Sequence, residues 1–138
     1  MSRYLLIDDD DIIQFIHKKV ISAADGQADI SAVFSVENGL KLLSDWGVGQ
    51  LPDFIFIDIS MPVNSGFDFL DALISDYPAL HAALLERSRV FLLTSSVNPR
   101  DQQRAKGYAL IERMLAKPLT PEMMMQLGTL SSETASPT

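Results

Sequence analysis

The sequence predicts an α/β domain: a five-stranded parallel sheet, doubly wound, with helices on both faces. Three observations predict it. Apolar runs too short for helices alternate five times with segments of helical spacing. Most of those runs are continuous rather than alternating, as strands buried on both faces are. Their carboxyl ends carry the polar residues, with Asp8 and Asp9 after the first, Asp58 after the third, Thr94 after the fourth and Lys117 after the fifth. In such sheets ligands sit beyond the carboxyl ends of the strands, where strand order reverses. Four strands therefore agree on one site.

The elements follow in order. Tyr4 to Ile7 is the first strand. Ile12, Ile16, Val20 and Ala24, widened by Ile13 and Ile21, give the inward stripe of a helix that Asp11 caps and Gly26 stops. Ile30 to Phe34 is more alternating, as an edge strand is. Ser35 caps a helix carrying Leu40, Leu43 and Trp46, closed by Gly47 and Gly49. The run 53–58 is the third strand, and ISMPVNSG after it is a loop. Ser65 or Asn64 starts the next helix, with Phe67, Leu70 and Ile74 inward. Residues 78–88 read as a long connection holding at most a helical turn. RVFLLT at 89–94 is the fourth strand, and Asn98-Pro99 opens a polar helix running to Gly107. Arg113 to Ala116 is the fifth strand. Thr120-Pro121 starts a last helix bearing Met124, Leu127 and Leu130. The domain is expected over 1–130, with 131–138 a disordered tail.

Composition excludes several classes. The chain has 138 residues, enough for one core, and a net charge of -7. So acidic a chain lacks the basic footprint of a nucleic-acid binder. Cysteine is absent, which leaves no disulfide framework and no thiolate chemistry. No apolar run approaches the roughly 20 residues that span a bilayer. With a strand starting at Tyr4 there is no room for a signal sequence, so a cytoplasmic protein without membrane contact is expected.

The aspartates carry the chemistry. Carboxylates of Asp8, Asp9 and Asp58 about 5 Å apart repel by roughly 3 kcal/mol per pair at an effective dielectric near 20. A divalent cation, a lysine or raised pKa values must offset that. Carboxylates, a backbone carbonyl and water suit Mg²⁺, and Lys117 adds a fixed positive charge. A carboxylate beside Mg²⁺ and an ammonium is placed for phosphoryl transfer, itself acting as nucleophile. Thr94 and Ser95 offer donors to a phosphoryl oxygen.

These pieces resemble the receiver domain of two-component response regulators. The segments that carry the resemblance are LLIDD (5–9), DISMPVNSG (58–66), FLLTS (91–95) and AKPLTP (116–121). The resemblance covers about residues 3–130. It implies a flavodoxin-like sheet of strand order 2-1-3-4-5 and a phosphorylated Asp58. It implies Mg²⁺ on Asp9, Asp58 and the Ser60 carbonyl, with Asp8 acting through water. Lys117 and Thr94 would contact the phosphoryl group, with backbone N–H groups of Ile59 and Ser95, and the Lys117-Pro118 bond would be cis. Such a domain takes its phosphoryl group from a histidine kinase or a histidine phosphotransfer protein. It signals through the face of the repeat's fourth helix, fifth strand and fifth helix. With no output domain following, a stand-alone switch is expected, one that catalyses only its own phosphorylation and dephosphorylation. One departure stands out: Met114 occupies the position, three before the lysine, where the family often has Tyr or Phe.

Two other readings are weaker. In a haloacid-dehalogenase-like phosphatase, Asp8 and Asp10 would form a D-x-D motif, but Asp58 and the Met-Pro loop would have no role. A receiver-like binding module without phosphorylation would not need the full acid, Thr and Lys set. The remaining candidates read as structure. Asp10 and Asp11 favour a helix dipole. His17 and His81 read as exposed and non-functional. Met123 to Met125 mix core with surface, Trp46 packs, and Lys18, Lys19, Arg100, Arg104 and Lys106 lie on solvated faces.

Overall fold

The computed structural model describes residues 2–61 and 63–128. The expected tail and Leu130 lie outside them. The chain forms β1 (Arg3–Ile7), α1 (Asp11–Ala24), β2 (Asp29–Val33), α2 (Val36–Trp46), β3 (Phe54–Asp58), α3 (Gly66–Asp76), α4 (Pro78–Arg87), β4 (Arg89–Thr94), α5 (Pro99–Ala105), β5 (Ile111–Ala116) and α6 (Pro121–Leu127). The strands pair in parallel in the order β2-β1-β3-β4-β5. The alternating second strand is indeed an edge, and the fifth begins two residues earlier than expected.

Each buried strand sends alternate residues to opposite faces. Leu5, Ile7, Ile55, Ile57, Val90 and Leu92 meet α2 through α5 on one side. Tyr4, Leu6, Phe54, Phe56, Phe91 and Leu93 meet Ile21 of α1 and Met124 and Leu127 of α6 on the other. This two-sided burial is why the strands read as unbroken apolar runs. Among the described residues, no helix is long and apolar enough to cross a membrane.

Every described helix start except that of α4 is side-chain capped. Ser35, Asn98 and Thr120 accept N–H groups of the first turns they open, and Ser65 with Asp68 makes a reciprocal capping box. Four expectations need correction. Asp10, not Asp11, caps α1, accepting from the N–H groups of Ile12 and Ile13. Gly26 does not end α1 in a left-handed turn; Asp25 ends it in an extended conformation. Ile74 points to solvent, and Phe69 and Leu73 fill the core beside Phe67 and Leu70. Residues 78–88 hold a ten-residue helix, α4, which starts on Pro78 and buries Leu80 and Leu84.

The inward face of α1 also differs. Ile12 and Ile16 are exposed, while Gln14, His17 and Ile21 are buried. His17, expected at the surface, is 1% exposed.

Candidate acidic phosphoryl site

The register sets the site. Ile7 pairs with Ile57, so the next residues, Asp8 and Asp58, leave adjacent strands side by side. Thr94 pairs with Ala116, which puts Lys117 just beyond the end of β4, its N–H donating to the Thr94 carbonyl at 2.8 Å. The reversal of strand order falls between β1 and β3, where the acids lie.

Oxygens of Asp8, Asp9 and Asp58 lie within 4.8 Å of one another. Asp8 and Asp58 are buried and Asp9 is exposed. Lys117 Nζ stands 3.2 Å from Asp8 Oδ2 and 3.2 Å from Asp58 Oδ2. Among the described residues it is the one cation paired with either acid. Burial, then the charge of Asp8, holds the Asp58 carboxyl above the usual carboxylate range, against the opposing pull of Lys117 and the Ser60 N–H. Burial would lower the Lys117 ammonium, but the two carboxylates outweigh it and its pKa is raised. One ammonium does not balance three carboxylates. The hard oxygen donors left over fit a divalent cation such as Mg²⁺, and exposed Asp9 gives it an aqueous approach.

The loops are shaped to hold these groups. Asp8 Oδ1 accepts the Asp10 N–H at 2.9 Å, and Asp58 Oδ1 accepts the Ser60 N–H at 3.2 Å. Gly66 returns the chain against β3. A Cβ there would stand 2.9 Å from the Asp58 carbonyl oxygen and 3.1 Å from Leu92 Cδ2, so only glycine lets α3 start so close to Asp58. The Lys117-Pro118 peptide is cis, as the resemblance implies.

Not every expected contact is made. The Ile59 N–H donates to the Leu93 carbonyl at 2.8 Å. It continues the β3–β4 ladder past the strand's end and is not free for a phosphoryl oxygen; the N–H turned to Asp58 is that of Ser60. The Thr94 hydroxyl donates to the Ser96 carbonyl at 3.0 Å and accepts the Ser96 N–H at 3.1 Å, so it serves its own loop. Ser95, next in sequence, and Ser60 are exposed. Met114 sits opposite Leu92, half-buried against the α2–α5 side. Asp10 spends its carboxylate on the α1 cap, which removes the second acid of a D-x-D reading.

Two residues near the site were missed as structure. Gln14 Nε2 donates to the carbonyls of Asp8 (3.1 Å) and Val33 (2.9 Å), tying together the ends of β1 and β2. His17 Nε2 accepts the Leu119 N–H at 3.1 Å, two residues past Lys117. Burial, then the charge of Lys117, lowers the His17 pKa to about 4, so it is a neutral acceptor at neutral pH. The one sequence signal was their spacing of three, which puts both on one helix face.

Residues 4–128 match the family model of the response regulator receiver domain. The crystal structure of a two-component response regulator from Cytophaga hutchinsonii is similar at 31% identity, covering 91% of this chain and 92% of that one, with a TM-score of 0.80. A response regulator receiver protein from Dyadobacter fermentans shares the fold at 23% identity, with coverages of 92% and 94% and a TM-score of 0.76. So does the Vibrio cholerae chemotaxis protein CheY4, at 22% identity, coverages of 92% and 95% and a TM-score of 0.71. No curated protein matches the chain in sequence.

Proposed function

This chain belongs to the response regulator receiver domain family, and from that premise we propose that Asp58 takes a phosphoryl group from phosphohistidine on a kinase or phosphotransfer partner. The signal then passes on by protein contact. The observation that carries this is the Asp58 carboxylate itself, buried at a strand end 3.2 Å from the Lys117 ammonium, with Asp8 and Asp9 oxygens within 4.8 Å.

An Asp58 oxygen forms a bond to phosphorus as the phosphorus–nitrogen bond to the donor imidazole breaks, and the imidazole nitrogen keeps that electron pair. Lys117 binds the phosphoryl oxygens, where charge spreads in the transition state. The N–H groups of Ser60 and Ser95 take further oxygens. Mg²⁺ held by Asp8, Asp9, Asp58 and the Ser60 carbonyl would supply the positive charge that offsets the remaining acids. The Thr94 hydroxyl then leaves Ser96 for the new phosphoryl group. That shift biases α5, β5 and α6 between two packings. Met114 lies on this route, lining a groove of about 330 Å³ with Gln102, Ala105, Lys106 and Ile111. As a flexible thioether it repacks where an aromatic side chain would flip.

Intact mass after exposure to acetyl phosphate and Mg²⁺ tests the reading. One phosphoryl adduct is expected, lost with a chelator and lost in Asp58→Asn. An adduct that persists in Asp58→Asn, or steady hydrolysis of phosphate esters by that variant, overturns it.

A further inference from the structure

The Lys117 ammonium is held by a turn whose support comes from α1, which packs on the same face of the sheet as Leu119. Of Lys117, Pro118 and Leu119, only the first and last have an N–H. The Lys117 N–H goes to Thr94 of β4, and the Leu119 N–H goes to His17 of α1, 102 residues away in sequence. His17 and Leu119 are each 1% exposed, so water does not substitute for this bond. The same face of α1 carries Gln14, which holds the Asp8 carbonyl. One helix thus grips the strand end that bears Asp8 and the turn that bears Lys117. The sheet face that α1 covers is apolar, built of Tyr4, Leu6 and Leu115 among others, with Met124 of α6 packed against it. An aliphatic side chain would satisfy the packing there; only an acceptor satisfies Leu119.

We infer that His17 is a positioning residue for Lys117: by accepting the Leu119 N–H it fixes the turn from which the ammonium reaches both Asp8 and Asp58. Its effect on phosphorylation rests on the reading of Asp58 given above; its effect on the turn does not. His17 stays neutral, and so remains an acceptor, because burial and Lys117 disfavour the imidazolium.

A double-mutant cycle on the full chain tests this, pairing His17→Leu with Lys117→Met. The readouts are acetyl phosphate adduct formation, Mg²⁺ affinity by titration and the amide exchange of Leu119. His17→Leu should speed Leu119 exchange and slow adduct formation by about tenfold or more, since a misplacement of about 1 Å can cost on the order of a hundredfold. His17→Gln, which keeps an acceptor, should recover most of that loss. In the Lys117→Met background His17→Leu should cost nothing further, because its effect runs through the lysine. Equal losses in both backgrounds, or an unchanged rate once Leu119 exchanges freely, overturn the proposal. If His17→Leu does not fold, His17→Met replaces it in the cycle. If the wild-type protein forms no adduct, the reading of Asp58 fails. The His17 proposal is then decided by Mg²⁺ affinity, which should change with His17→Leu only when Lys117 is present.

Discussion

The two ends of the sheet treat charge in opposite ways. At the amino end, charges meet their opposites. The Arg3 guanidinium lies 4.4 Å from the Trp46 ring and 3.5 Å from Asp29, and the Arg3 N–H donates to Asp53. Arg89 makes a two-pronged bond to Glu112, donates to the Leu127 carbonyl at 2.6 Å and lies over Phe54 and Phe91. Each partner there strengthens the other's charge: the Glu112 carboxyl is lowered first by its bond to Arg89, and the Arg89 pKa is raised first by Glu112. At the carboxyl end three carboxylates share one ammonium, and Asp58 is pushed the other way, toward its protonated form. One end of the sheet is settled by its own residues. The other is left in deficit, and that deficit gives a cation or a phosphoryl group something to change.

The largest expected effect on stability breaks the balance at the carboxyl end. Lys117→Met leaves Asp8 and Asp58 buried without a counter-charge and should cost about 3 kcal/mol at neutral pH. Denaturant unfolding measures it, and added Mg²⁺ should return part of the loss by binding the folded state alone. A cost that Mg²⁺ does not touch would mean that the lysine serves packing rather than charge.

Arg89→Met is the matched change at the amino end. Its pair with Glu112 is more than a third exposed, so solvent screening holds that part of the loss to about 1 kcal/mol or less. The lost bond to Leu127 adds about 1 kcal/mol. The same unfolding experiment should show this loss unchanged by Mg²⁺. If Mg²⁺ rescues Arg89→Met as well as Lys117→Met, the contrast between the ends is false.

The same contrast explains what the sequence made legible. Asp8, Asp58, Thr94 and Lys117 lie at the ends of continuous apolar runs, and strand ends in a parallel sheet converge, so periodicity alone located them. Helix faces were harder. Ile12, Ile13, Ile16, Val20 and Ile21 allow more than one apolar stripe, and the buried one contains Gln14 and His17, whose polarity disguised it. Their burial depends on carbonyl and N–H groups of other strands and loops, which no local pattern reports. In α4 the run PALHAALLER has strong intrinsic preference for helix but a weak apolar stripe, so spacing understated it. Ile59 was misjudged because the β3–β4 ladder runs one residue past Asp58, a matter of register.

Acid provides the finest test of the comparison. Asp58 has a folded pKa above its unfolded value, so the folded state binds its proton first as pH falls. The penalty that burial, then the charge of Asp8, puts on the ionised carboxyl at high pH is relieved as pH drops through the folded pKa. Asp58→Asn lacks that penalty throughout and should be more stable than the wild type at neutral pH. His17 works in the opposite direction. Its folded pKa, about 4 against 6.5, means that the unfolded chain protonates first, so stability falls between those values as acid is added. That loss is common to both proteins and cancels in their difference. Paired thermal melts in Mg²⁺-free buffer should therefore show the advantage of Asp58→Asn shrinking as pH falls through the folded pKa of Asp58 toward its unfolded value. An advantage that is flat with pH would show that Asp58 is ionised at no cost in the resting protein. The carboxyl end would then be as settled as the other.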